Sequence, residues 1–225
     1  TRFLNGGAEE NTLITCNYSV KIGDKVTLII GSEYENQIIS KLDKRVKLIK
    51  IKNLVRDINP LKDLLAFYQL FCIIKKLNPD IIHTHESKAG ILGRLSAKLN
   101  KVPVIIHTVH ILPFINVNFF KKSFYILLEQ ITSLVTDKYI CVSKGMLDQS
   151  LKHNISHKKK YCVIHSGFNI NKFKNVKLNY NLVKLKNYKK YYNMNIITYV
   201  GAFEKRKRQI EFLSIFKKLL IQNKK

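Results

Sequence analysis

No apolar run in this sequence approaches the roughly 20 residues that a membrane-spanning helix needs. Its opening, TRFLNGGAEEN, is polar and lacks methionine, so nothing there reads as a signal peptide. These absences lead us to expect a soluble, cytoplasmic protein and a chain that is a piece of something longer. Cysteine is scarce: Cys16, Cys72, Cys141 and Cys162 lie far apart, none in a C-x-x-C pair, each among apolar neighbours. That pattern points to reduced, buried thiols rather than to zinc or disulfides. There is no G-x-G-x-x-G fingerprint, which removes a simple dinucleotide-binding assignment.

Acidic residues are also few, 15 against 40 lysines and arginines, giving a net charge of +25. The lysines are spread through the chain, and the tightest cluster, HKKKY at 157–161, is short. They accompany a general excess of Asn, Ile and Tyr, a bias that A+T-rich coding produces without selection for charge. The charge therefore suits attraction to phosphates or to an anionic membrane surface, and does not support specific nucleic-acid binding.

What is present is an alternation of short apolar runs with longer helical patterns. KVTLIIG (25–31), RVKLIKI (45–51), DIIHTH (80–85), VPVIIHT (102–108), KYICVS (138–143) and KYCVIH (160–165) read as strands. Being continuous and apolar, most are expected to be buried on both faces, as in a parallel sheet. Between the second and third, Leu61, Leu64, Leu65, Tyr68, Phe71 and Cys72 recur at helical spacing, bounded by Pro60 and an Asn-Pro pair. Residues 119–135 form another amphipathic helix, read first as core-packing with a membrane surface as the alternative. The pattern is that of an α/β fold with a doubly wound, Rossmann-like parallel sheet over 1–166. Residues 167–193 are polar, basic and aperiodic, as in a linker. A fresh strand and helix begin near Met194, with Ile210, Leu213, Phe216 and Leu220 on one helical face, so 194–225 reads as the start of a second domain.

Two stretches carry chemistry. Gly6 and Gly7 precede a helix running to about Val20, with Glu9 and Glu10 in its first turn. That arrangement serves either a plain turn or a backbone approach to an anion. In DIIHTHESKAGILGRL a strand ends near His85, and Gly90, Gly93 and Ala97 form a small-residue helix face, with Leu92, Leu95 and Leu99 as its apolar stripe. His83 and His85 share a side of the strand, being two apart. His85 and His110 both fall where doubly wound folds bind ligands, at strand carboxyl ends. Taken alone, His85 fits a functional or a structural role equally. No carboxylate or thiolate stands at a matching spacing, so no metal is expected.

GGAE, GDKV, DIIHTHESKAGILGRLSAKLNKVPVIIHTVH, YICVSKG, VIHSGFNINKF and YVGAFEKRKRQIEFL together resemble, in order and spacing, the retaining glycosyltransferases of family 4. The likeness is to the bacterial subgroup that builds surface polysaccharides, and it covers almost the whole chain. It implies the two-domain GT-B fold, with an acceptor-side N-terminal domain and a nucleotide-sugar-binding C-terminal one. It also implies transfer of a sugar, with retention, from a nucleotide-diphosphate-sugar to a sugar or polyprenyl-linked glycan, without metal or other cofactor. The protein would then work in the cytoplasm, peripherally at the inner membrane face. By the same resemblance His85 is the active-site histidine that hydrogen-bonds the donor sugar, and His110 stands on the acceptor side. Gly6 and Gly7 line the cleft near the diphosphate, Ser143 sits at the sheet's inner edge on the donor side, and Lys207 pairs with the diphosphate.

The chain departs from the family pattern in three places. Ala202 replaces an arginine that usually follows the strand-end glycine, with Arg206 or Arg208 as the available substitutes. HILPFI (110–115) replaces H-G-F-P-F-H. The paired glutamates of the second domain have no counterpart before residue 225, so by itself this chain is expected to be inactive and to bind nucleotide-sugars weakly. Two competing readings are a sugar-nucleotide epimerase of the same architecture, which needs carboxylates in the cleft, and a non-catalytic basic module for nucleic acid or anionic polysaccharide, for which NYKKYYNMN (187–195) is the candidate surface.

Overall fold

The apolar runs form parallel strands, and the ends of three of them carry the histidines and the serine singled out above. The computed structural model describes residues 1–115, 117–167, 170–174, 197–201, 203 and 207–222. They fall into two compact units, Thr1–Asn169 and Ile170–Lys225.

In the first unit, β1 (Arg2–Phe3) pairs with β3 (Glu33–Tyr34), and β2 (Thr27–Ile30) with β4 (Lys47–Lys50), both in parallel. A four-stranded parallel sheet follows in sequence order: β5 (Ile81–His85), β6 (Val104–Val109), β7 (Lys138–Cys141) and β8 (Tyr161–Val163). Helices α1 (Gly7–Lys21), α2 (Asn36–Ile39), α3 (Pro60–Leu77), α4 (Ser87–Leu99), α5 (Phe119–Ser133) and α6 (Lys144–Lys152) connect them. All six runs read as strands contain one. The two-residue strands β1 and β3 are additional, too short to show any period.

Local chemistry explains the boundaries. Asn59 caps α3 by accepting from Lys62 N at 3.0 Å, Pro60 opens the helix, and Asn78 closes it at φ 43. Asn118 caps α5 from Lys121 N in the same way. The Gly31 backbone lies against the carbonyl oxygens of Thr1 and Leu54, where no side chain would fit.

Four expectations about packing are corrected. The core takes Ala66, Leu70 and Ile74 from α3, while Leu61 is 72 % and Tyr68 64 % exposed. The reason lies on α4, whose small Ser96 and Ala97 let α3 approach closely; Ser96 Oγ and Asn100 Nδ2 donate to the Phe67 and Phe71 carbonyls. Leu99, expected in the buried stripe of α4, is exposed. The strands are not buried on both faces: Ile82, Ile105, Val109, Tyr139 and Cys141 pack under helices, but Ile81 and Cys162 on the other face are open. Of the four thiols only Cys16 and Cys141 are buried; burial pushes each up to about 11, so they stay protonated at neutral pH.

Beneath the sheet, Arg94 is fully buried. Its Nη2 donates to Glu129 Oε2 at 2.8 Å, Nη1 to Tyr139 Oη at 3.0 Å and to Thr136 Oγ1 at 3.3 Å, and Nε to the Gly90 carbonyl. Glu129 is drawn inward by this cation, and Thr132 and Ser133 are buried beside it on α5. The apolar stripe of α5 therefore faces out: Phe119 is 76 % and Phe120 84 % exposed, and Phe124, Leu127 and Ile131 are exposed too. The helix packs on the core as expected, but through Tyr125, Ile126 and the buried Glu129, Thr132 and Ser133 rather than through this stripe.

The second unit contains α7 (Asn171–Lys174) and α8 (Gln209–Gln222). The strand expected in NIITYVG is not formed at 197–200, and Ile210 and Leu213 are exposed. A strand gains its stability from a partner, and none occurs among the described residues of this unit. Most of 167–193, read as a linker, lies outside the described residues.

Candidate active site

β5 delivers His83 and His85 to one face because side chains two apart on a strand point the same way; their ring centroids are 4.4 Å apart. The parallel register sets Thr108 of β6 opposite His85, and His110 follows just beyond β6 on the same side. His83 Nε2 lies 2.7 Å from Thr108 Oγ1. His85 Nδ1 lies 3.0 Å from His110 Nε2, with the two rings stacked at 5.3 Å. One ring must donate to the other, so the pair always presents one free N–H and one free nitrogen lone pair. A sugar hydroxyl, which is both donor and acceptor, matches that pair.

Burial keeps these rings neutral. It lowers His83 to about 4, with His110 adding to the effect. Burial likewise holds His85 well below the ordinary imidazole value, helped by His83 and His110. His110 is lowered by burial too, while the Glu86 carboxylate acts in the opposite direction. Behind them, on the other face of the sheet, His107 is buried against α4. A Cβ on Gly90 would stand 2.6 Å from its Cε1, and Thr84 Oγ1 lies 2.8 Å from its Nδ1. The glycine-dotted helix between His85 and His110 is thus what allows α4 to press on β6. A cavity of about 170 Å³ opens beside His83 and Thr108, lined also by Asn11, Thr15, Ile140, Val142 and Ile164.

Gly6 and Gly7 differ. A Cβ on Gly7 would meet nothing within 4 Å, so its backbone is open to a ligand, whereas one on Gly6 would stand 2.5 Å from Glu9 Oε2. Ser143 is at the carboxyl end of β7, where its hydroxyl caps α6 by accepting from Met146 N at 3.3 Å. Lys207 belongs to the second unit, where its carbonyl accepts from Tyr199 Oη. Arg206 lies outside the described residues. His85 and His110 are therefore brought together, with Ser143 on the strand end beyond them. Thr108 was missed by sequence reasoning, although its place two residues before His110 gives its face. Glu86 was also missed, and no pattern in the sequence marks it. Among the described residues no three His, Cys, Asp or Glu side chains converge as a metal site.

A parallel α/β sheet with paired imidazoles at its strand ends defines a Rossmann-like ligand-binding domain. The sequence model of Glycosyltransferase Family 4 matches residues 5–172. The chain belongs to that family. It is 31% identical over 185 residues to the UDP-Gal:alpha-D-GlcNAc-diphosphoundecaprenol alpha-1,3-galactosyltransferase of Escherichia coli, covering 81% of this chain and 47% of that protein. It is 28% identical over 163 residues to the capsular polysaccharide biosynthesis glycosyltransferase CapM of Staphylococcus aureus, covering 72% of this chain and 43% of CapM. A crystal structure of a glycosyltransferase from Rickettsia africae shares the fold at a TM-score of 0.59, with 21% identity, over 96% of this chain and 58% of that one. The fold is thus that of GT-B enzymes, and the chain spans about half the length of the curated relatives it matches.

Proposed function

We propose that the whole protein moves a sugar from a nucleotide-diphosphate-sugar to a sugar or lipid-linked sugar acceptor in the making of a surface glycan. The observation that carries this reading is the neutral His85–His110 pair at the carboxyl ends of the sheet in a family 4 chain. In it, residues 1–166 form the acceptor-side domain, 167–193 the linker and 194–225 the start of the nucleotide-sugar domain. His85 hydrogen-bonds the donor sugar, and His110 faces the acceptor. Gly7 with Gly6, and Ser143, line the donor side.

Lys207 and Arg206 pair with the diphosphate. A cation is useful there because cleavage of the sugar–phosphate bond leaves negative charge on the departing nucleotide. Side-chain cations and helix N-termini supply that stabilisation in this reading, so it calls for no metal or organic cofactor, and the anomeric configuration is retained. Association is peripheral, at the cytoplasmic membrane face, through the outward apolar stripe of α5 and the neighbouring Lys121 and Lys122. No described helix is long and apolar enough to cross a membrane.

The test is a transfer assay with the full-length protein, a panel of UDP-hexoses and UDP-N-acetylhexosamines, and undecaprenyl-diphosphate-linked GlcNAc. Sugar appearing on the lipid, with UDP released, is the expected result. Acceptor-independent epimerisation of a donor, or no turnover alongside salt-sensitive oligonucleotide binding, contradicts the reading.

A further inference from the structure

Glu86 follows His85 directly and holds the N-cap of α4 with φ 61 and ψ 165. This backbone region is almost confined to glycine, because a Cβ there is strained. A glycine would relieve the strain, yet the position carries a carboxylate. The side chain is 36% exposed; its Oε2 accepts from Thr1 Oγ1 at 3.3 Å and lies 3.6 Å from the Thr1 amino nitrogen. Its charge is felt by His110 and by Glu9, whose carboxylate crowds Gly6 in the first turn of α1. Glu86 thus stands at the same strand-end mouth as the imidazole pair. A carboxylate there favours a ligand that donates hydrogen bonds.

Building on the transferase reading, we propose that Glu86 contacts substrate on the acceptor side, its carboxylate accepting hydrogen bonds from hydroxyls of the acceptor sugar seated against His110. It is a determinant of which hydroxyl pattern the acceptor must show, because a site that hydrogen-bonds a sugar hydroxyl discriminates against a sugar lacking it.

Full-length wild type, Glu86→Gly and Glu86→Gln, assayed with the same UDP-sugar panel and undecaprenyl-diphosphate-linked GlcNAc, decide the matter. Both variants should raise the acceptor KM about 10-fold or more, the scale of a lost hydrogen bond to a charged group. The donor KM should stay within about twofold, and Glu86→Gly should melt at or above the wild-type temperature as strain is relieved. An unchanged acceptor KM overturns the proposal, and so does a rise in donor KM alone. A Glu86→Gly protein that melts several degrees lower with normal acceptor KM would show a merely structural carboxylate. Wild type that transfers nothing would instead sink the transferase reading, and this inference with it.

Discussion

At the scale of residues, four imidazoles crowd the ends and faces of β5 and β6, and burial keeps His83, His85, His107 and His110 below their ordinary pKa. The sign of the consequence is fixed. Below about pH 6.5 the unfolded chain binds protons that the folded one refuses, so stability is full above that pH and falls as pH drops. For His83 the loss runs from 6.5 to about 4, worth on the order of 2 kcal/mol at the bottom of that window after allowing for solvent screening. The urea midpoint should therefore hold above about pH 6.5 and fall from there to pH 5, less steeply in His83→Gln. A midpoint flat across that range contradicts the burial of these rings. The histidine placement was legible in the sequence, since period two fixes the common face of His83 and His85, and apolar runs locate the strand ends. The Glu86 conformation was not, because positive φ is ordinarily announced by glycine or asparagine and a glutamate gives no signal.

At the scale of elements, periodicity identified α3 and α5 but chose the wrong face of α3 and named none for α5. A helix with two apolar sides looks the same in sequence whichever side is buried. The small residues of α4 and the Arg94–Glu129 pair made the choice, through partners far away in the chain. For α5 the result is Glu129, Thr132 and Ser133 turned in beside Tyr125 and Ile126, with Phe119, Phe120 and Phe124 turned out. Each of those rings is worth about 1.5–3 kcal/mol on leaving water. Cosedimentation with phosphatidylglycerol vesicles should capture the wild type, more weakly at high salt. The triple change to serine should lose at least 10-fold in binding with little change in Tm. Equal binding by the triple variant removes α5 as the membrane face.

At the scale of the whole molecule, alternating β and α segments were enough to give the parallel sheet, because each run is bounded by a recognisable helix. The second unit was less legible: its strand has no partner among the described residues, so propensity alone decided nothing there. The central claim is that the His85–His110 pair, joined at 3.0 Å on the sheet's carboxyl edge, is the reacting centre. The most direct test is steady-state transfer by full-length His85→Ala beside its thermal unfolding. Loss of an interaction made to the reacting sugar predicts turnover lower by about 100-fold or more, with a melting temperature within a few degrees of wild type. Near-normal turnover in that variant would contradict the account.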